Sequence, residues 1–196
     1  MTNLKLREMI LCALFIALIT AGTFIKIPVG TDVYTLQFLF TLLAGLLLGP
    51  KLGALAVAVY VLMGLLGIPV FAEGGGPAYV LQPTFGYLIG FIVQAGVNGW
   101  LSRKLENVGV VSLLGANLAG MAVVYLFGLV YFYIASNYFL HAPIAVWGVI
   151  WYCGILQAPP DFLLCSAASL VGLRCYRAGL WIEEAKTAEK IRAREA

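Results

Sequence analysis

Six apolar stretches, at roughly 9 to 26, 34 to 49, 52 to 68, 84 to 101, 109 to 135 and 159 to 176, constrain this chain more than any other feature in it. A bilayer core about 30 Å thick takes about 20 apolar residues of helix to cross. Helices suit that medium because they satisfy their own backbone hydrogen bonds where water is absent. The pattern therefore predicts an all-α integral membrane protein of six transmembrane helices. Composition agrees, with 62% hydrophobic and 11% charged residues where a soluble domain carries about 25% charged. Spans of this number use up most of the 196 residues, leaving no room for a soluble catalytic or nucleotide-binding domain. We read residues 1–196 as a single membrane-embedded domain, with about 180–196 as a charged cytoplasmic tail. The first stretch is taken as a span rather than a leader, since many more follow it.

A seventh apolar stretch, roughly 143 to 157, lies between Pro143 and the Pro159-Pro160 pair. It is too short to cross alone, and proline breaks a helix ladder from inside. It is expected as an additional short helix, half-inserted or on the surface, before the last span.

Charge sets the orientation. Lys5, Arg7, Lys51, Arg103, Lys104, Arg174, Arg177, Lys186, Lys190, Arg192 and Arg194 fall in the termini and in the loops after the second and fourth spans, whereas the other loops hold only Lys26. By the positive-inside rule both termini face the cytoplasm of a multi-pass plasma-membrane protein. The net charge of +3 is too small to build a nucleic-acid surface.

Asp32, Glu73 and Asp161 are the acids left outside the cytoplasmic set, and all fall at outer span ends. Polar groups gathered at one mouth of a bundle point to a ligand site open to the outside. Asp161 follows the proline pair at the start of the last helix, where it either caps the helix or accepts N–H groups of a ligand. Gln37, with Thr35 just before it, sits one turn inside the second span, to be held by a neighbouring helix or by a ligand. The loop between the third and fourth spans carries Gly74, Gly75 and Gly76, flanked by Phe71, Tyr79 and Phe85. Three glycines let amides approach a ligand closely, or simply let the loop turn. In the first span Ala13, Ala17 and Ala21 recur every fourth residue on one face, a surface for packing inside the bundle or for docking another membrane protein.

Several chemistries are missing. There is no phosphate-binding loop, so ATP hydrolysis by the chain itself is not expected, and no hydrolytic set accompanies the single His141. Cys12, Cys153, Cys165 and Cys175 form no ligand spacing, and no metal site or cofactor is expected.

The residues Ile27-Pro28, Tyr34-Thr-Leu-Gln37, Leu43 to Ala54, Gly64-Leu-Leu-Gly-Ile-Pro-Val-Phe-Ala72, Gly74-Gly-Gly-Pro77 and Pro83-Thr-Phe-Gly-Tyr-Leu-Ile-Gly-Phe91 resemble the BioY family, the biotin-specific substrate-binding (S) components of energy-coupling factor transporters. The resemblance implies a six-helix subunit that captures biotin from outside. It would deliver the ligand through a transmembrane coupling subunit and two cytoplasmic ATPase subunits, and so be no enzyme itself. It also moves Ala13, Ala17 and Ala21 toward contact with the coupling subunit. With biotin as ligand, Asp161 and Gln37 suit the ureido ring. Phe71, Tyr79, Phe85 and Tyr87 suit the valeryl chain, and the amides of Gly74 to Gly76 the carboxylate. Glu73, Gln82 and Gln157 add polar groups at the same mouth. The chain departs from the family pattern entering the last helix, which resembles Pro-Gly-Asp-x-x-Lys, by Pro160 and Leu164. That keeps open an S component for a different small vitamin or organic acid, and beyond the family a stand-alone secondary carrier.

Overall fold

A computed structural model describes residues 6–29, 32–140 and 143–182, the side chains of 26–29 and 32–34 excepted. The predicted tail beyond residue 182 and His141 lie outside the described residues. Helix α1 (Leu6–Phe24) leads into a small antiparallel hairpin of β1 (Lys26–Val29) and β2 (Asp32–Thr35), in which Lys26 pairs with Thr35 and Val29 with Asp32. Then come α2 (Gln37–Leu65), a 3₁₀ turn (Pro77–Leu81), α3 (Phe85–Lys104) and α4 (Val110–Ile134), which widens into a π-turn (Ala135–Phe139). A short α5 (Val146–Val149) widens likewise into π-turns (Ile150–Ile155), and α6 (Ala158–Arg177) closes the described chain. Four helical stretches, Leu6–Phe24, Gln37–Leu65, Val110–Phe139 and Val146–Arg177, are long and apolar enough to cross a membrane.

The chain is helical as expected, with three differences from the sequence reading. The first is the hairpin at 26–35, which the apolar pattern does not register because its strands are only four residues each. The second concerns 143–157, where the expected short helix is present as α5 and its π-turns, largely exposed, but runs on from Val146 as one helical stretch into α6. Pro159 and Pro160 fall in the first turn of α6, where the missing proline N–H groups would have had no intrahelical acceptor anyway.

The third is the helix count. The described residues form five long helices, not six, because α2 takes up both the second and the third predicted span. Within α2, however, Gly49 has φ 88° and ψ 178°, a left-handed-side conformation that glycine tolerates, and Pro50 follows it. The chain reverses there. A Cβ on Gly53 would lie 2.8 Å from the Ala44 carbonyl oxygen, whereas residues nine apart in a straight helix are separated by about 13 Å. Farther along, Gln37 Nε2 donates to Tyr60 Oη at 3.2 Å. The two arms, 37–48 and 50–65, thus lie side by side.

Arg103 holds this elbow. The last carbonyls of a helix arm have no intrahelical donor, and the Arg103 guanidinium donates to those of Gly45, Leu46 and Leu47. It also donates to the Ile182 carbonyl at 3.1 Å and lies 4.7 Å from the centre of the Trp181 ring. The segment after α6 is thereby tied to the α2 elbow, with the Ile182 N–H on Leu47 O at 2.9 Å. Replacing Arg103 by Met should lower stability by about 1 to 3 kcal/mol, since it strips charge-assisted bonds from the carbonyls at the end of the first arm, of which only that of Leu47 has a second donor outside its helix, the Ile182 N–H. The thermal midpoint of the purified variant in detergent checks this, and an unchanged midpoint would show the clasp to be dispensable.

Inside the bundle, helices approach through small residues. A Cβ on Gly45 would fall 2.5 Å from Ala95 O, and one on Gly90 2.9 Å from Val124 Cα. Close backbone approach of this kind is how helices associate in lipid, where apolar burial alone gives no advantage over the solvent. A buried polar layer crosses the bundle. Asn98 Nδ2 donates to Leu42 O (3.0 Å) and to Asn117 Oδ1 (3.1 Å). Asn117 Nδ2 in turn donates to Ser169 Oγ (3.0 Å) and Cys165 O (3.3 Å). One chain of amides therefore ties α2, α3, α4 and α6 together.

Candidate ligand-binding site

Asp161 stands one turn inside α6, with Gln157 at the N-terminal cap position. It is therefore not the helix cap, which was the alternative reading of its sequence position. Its side chain is 6% exposed, and Oδ2 accepts a hydrogen bond of 2.8 Å from the Tyr125 hydroxyl of α4. No cation pairs with it among the described residues. A carboxylate carrying one neutral donor retains several acceptor positions, and in a buried setting these call for N–H or O–H partners. Tyr87 of α3 lies nearby, its ring packed over Gly128, three residues on from Tyr125 along the same face of α4. Its hydroxyl donates to Cys153 O at 3.2 Å. Phe85 is buried edge-on to Tyr131, whose hydroxyl donates to Val80 O. Phe38 and Phe91 stack at 5.8 Å. Tyr87, Tyr125 and Leu164 pack on the same apolar core as these rings.

A second group of expected site residues meets around Tyr60, which the sequence reading did not single out. Gln37 donates to its hydroxyl, the Thr23 hydroxyl lies 3.1 Å away, and Tyr60 donates to Val70 O at 2.9 Å. Of the two roles open to Gln37, the structure shows the interhelical one for its amide N–H. Phe71 is 1% exposed, its ring pressed onto Gly64 and set between Tyr60 and Tyr79. It is a core plug that fixes the loop to α2. Tyr79 is buried as well, and this burial pushes its phenol up, so it stays neutral at physiological pH.

The glycine run offers less than its sequence promises. The Gly74 N–H donates to Phe71 O and the Gly76 N–H to Gly64 O, so two of the three amides serve the loop itself. Gly75 keeps its N–H without an intramolecular acceptor among the described residues. It is also wedged so closely that a Cβ there would meet Ile68 O at 2.4 Å. Glu73 and Gln82 are exposed, and Thr35 and Gln157 are half-buried. None of the expected site residues lines an apolar cavity of about 330 Å³ between α4 and α5, bounded by Leu129, Tyr133 and Val149 among others.

On α1 the buried side chains are Phe15, Ile19, Gly22 and Thr23, while Ala13, Ala17 and Ala21 are exposed. The small-residue stripe thus faces away from the bundle. Tyr125 was missed by the sequence reading, although a signal existed. Asn117 and Tyr125 are eight apart on α4, and Asp161 and Ser169 eight apart on α6, so the polar residues of both apolar helices recur on one face.

In the solved structures, a chain described as the S-component for biotin from an ECF-type ABC transporter superposes with a TM-score of 0.79 at 25% identity, covering 90% of this chain and 94% of that one. The architecture is that of an S component. The sequence model described as the BioY family matches residues 1–180. A probable biotin transporter BioY of Lysinibacillus sphaericus is 39% identical over 87% of each chain. The biotin transporter BioY of Thermotoga maritima is 42% identical over 69% of this chain and 78% of its own. The chain belongs to the BioY family.

Proposed function

We propose that this chain is the membrane-embedded subunit that binds biotin for uptake, passing it to an energy-coupling factor complex. The observation that carries the reading is the buried Asp161, positioned by Tyr125 with acceptor capacity to spare, in a chain whose relatives bear the name of biotin transporters. Biotin's ureido ring supplies N–H donors for that carboxylate. Its valeryl chain suits the aromatic walls of Tyr87, Phe85, Phe71 and Tyr79, and its carboxylate the Gly75 amide beside Gly74 and Gly76. Gln37 acts through Tyr60, and Thr35, Glu73, Gln82 and Gln157 rim the mouth. The relatives' names weigh against a different vitamin or acid, despite Leu164.

The reversal at Gly49 supports counting the arms of α2 as two crossings, which makes six spans in a single domain. With six spans and the basic residues gathered on one side, both termini lie in the cytoplasm. The exposed stripe of Ala13, Ala17 and Ala21 is the docking face for a transmembrane coupling subunit, which works with two cytoplasmic ATPases. This chain hydrolyses no ATP and needs no cofactor or metal. Radiolabelled biotin should bind the purified chain in detergent at about one per chain with no partner present. Failure to bind biotin, with another vitamin captured from a panel, would reassign the substrate. ATP hydrolysis by the homogeneous chain would overturn the division of labour.

A further inference from the structure

Gln94 on α3 is fully buried, and neither its Nε2 nor its Oε1 has a hydrogen-bond partner among the described residues. A primary amide held in a membrane helix with both ends idle is costly, so its surroundings bear on its use. It faces α4 at Gly120, where a Cβ would come within 3.0 Å of Gln94 Cγ. Gly120 thus gives the Gln94 side chain room between the helices, where any Cβ would crowd it. Asn98, one turn deeper, differs. Its Oδ1 also lacks a partner, but it is pressed against Gly45, where a Cβ would lie 2.0 Å from it, so no ligand group fits between them.

Helical register places Gln94 relative to Asp161. The Asn98, Asn117 and Ser169 side chains meet in one layer. Eight residues outward from Asn117 is Tyr125, and eight outward from Ser169 is Asp161, each about 12 Å along its axis. Those two do meet, at 2.8 Å, so the register holds through both helices. Four residues outward from Asn98 is Gln94, about 6 Å along α3. Gln94 therefore occupies the layer between the central amides and the Asp161–Tyr125 pair, on the inward face of its helix.

We infer that Gln94 is the floor of the ligand site and that its amide pairs with an N–H/C=O edge of the bound ligand. This deepens the biotin reading and rests on it. A cyclic urea presents one C=O flanked by two N–H groups. The Gln94 Nε2 donates to the C=O, Oε1 accepts from one N–H, and Asp161 accepts from the other. Every polar atom of the ring is thereby matched, and both idle ends of the amide are engaged.

The test compares wild type, Gln94→Met and Gln94→Asn as full-length chains in detergent, with biotin and with desthiobiotin, which keeps the urea but lacks the sulfur ring. Wild-type binding of biotin tests the underlying reading; if it fails, that reading falls and the inference with it. With wild type binding, Gln94→Met should lose affinity for both ligands by about 10- to 100-fold. Its ligand-free melting temperature should be unchanged or raised, because an idle buried amide is removed. Gln94→Asn retracts the amide by one methylene and should also weaken both ligands at least about tenfold, which covers the case of a Met variant that does not fold. Affinity within about twofold of wild type in whichever variant folds, or a loss confined to biotin, overturns the inference while leaving the biotin reading intact.

Discussion

Asp161→Asn lowers biotin affinity by about 10- to 100-fold and leaves the bundle folded. The substitution is nearly isosteric, and the Tyr125 hydroxyl still finds an acceptor in the amide oxygen. What it removes is the charge that strengthens a ligand N–H bond, and it turns an amide donor toward the ligand's own donors. Charge-assisted bonds of this kind are worth about 1.5 to 3 kcal/mol. If Asp161 served only to order the start of α6, the variant would melt earlier and bind normally. Equilibrium binding and a melt on the same preparation separate the two, and unchanged affinity would remove Asp161 from the site.

Ala17→Trp abolishes co-purification with a coupling subunit while the isolated chain still binds biotin. Ala13, Ala17 and Ala21 span about 12 Å of α1, and all three are exposed, whereas Phe15, Ile19, Gly22 and Thr23 face the bundle. An indole at the middle of that stripe meets nothing inside this chain. It stands where a second helix would have to approach within small-residue distance. Biotin uptake by cells should fail with it. Retained co-purification, or loss of ligand binding by the solitary variant, would end the docking role of this face.

The length and apolarity of the segments made the helical, membrane-embedded character of the chain legible, because hydrocarbon excludes most other backbone structures. The elbow at Gly49 and Pro50 was legible too, as a gap between two apolar stretches. The way it is closed was not: Arg103 belongs to a helix fifty residues on, and its use as a clasp depends on tertiary contact. The β hairpin escaped notice because four-residue strands carry too few alternations. Continuity of 143–157 with α6 was obscured by a proline pair read as a stop, when prolines in a first turn are compatible with a start. In the site, Asp161 stood out as an acid in an apolar helix. Its partner Tyr125 did not, since a tyrosine within a largely apolar helix of 25 residues looks like one more core ring. The three glycines left two readings open, because sequence reveals which amides are able to turn inward but not that those of Gly74 and Gly76 are used by the loop itself.

The layer of Asn98, Asn117 and Ser169 bears on how anything could pass this protein. A carrier that rocks one half against the other needs a plane along which its helices can slip. Here the plane is cross-stitched by buried amides, and in hydrocarbon no water stands ready to replace a broken stitch. Four helices share those bonds, among them both the one that carries Asp161 and the one that carries Tyr125. A gate within the bundle would have to break these bonds. Turning such a body as a whole, by a force applied at a face such as α1 that takes no part in these bonds, would leave every one of them intact.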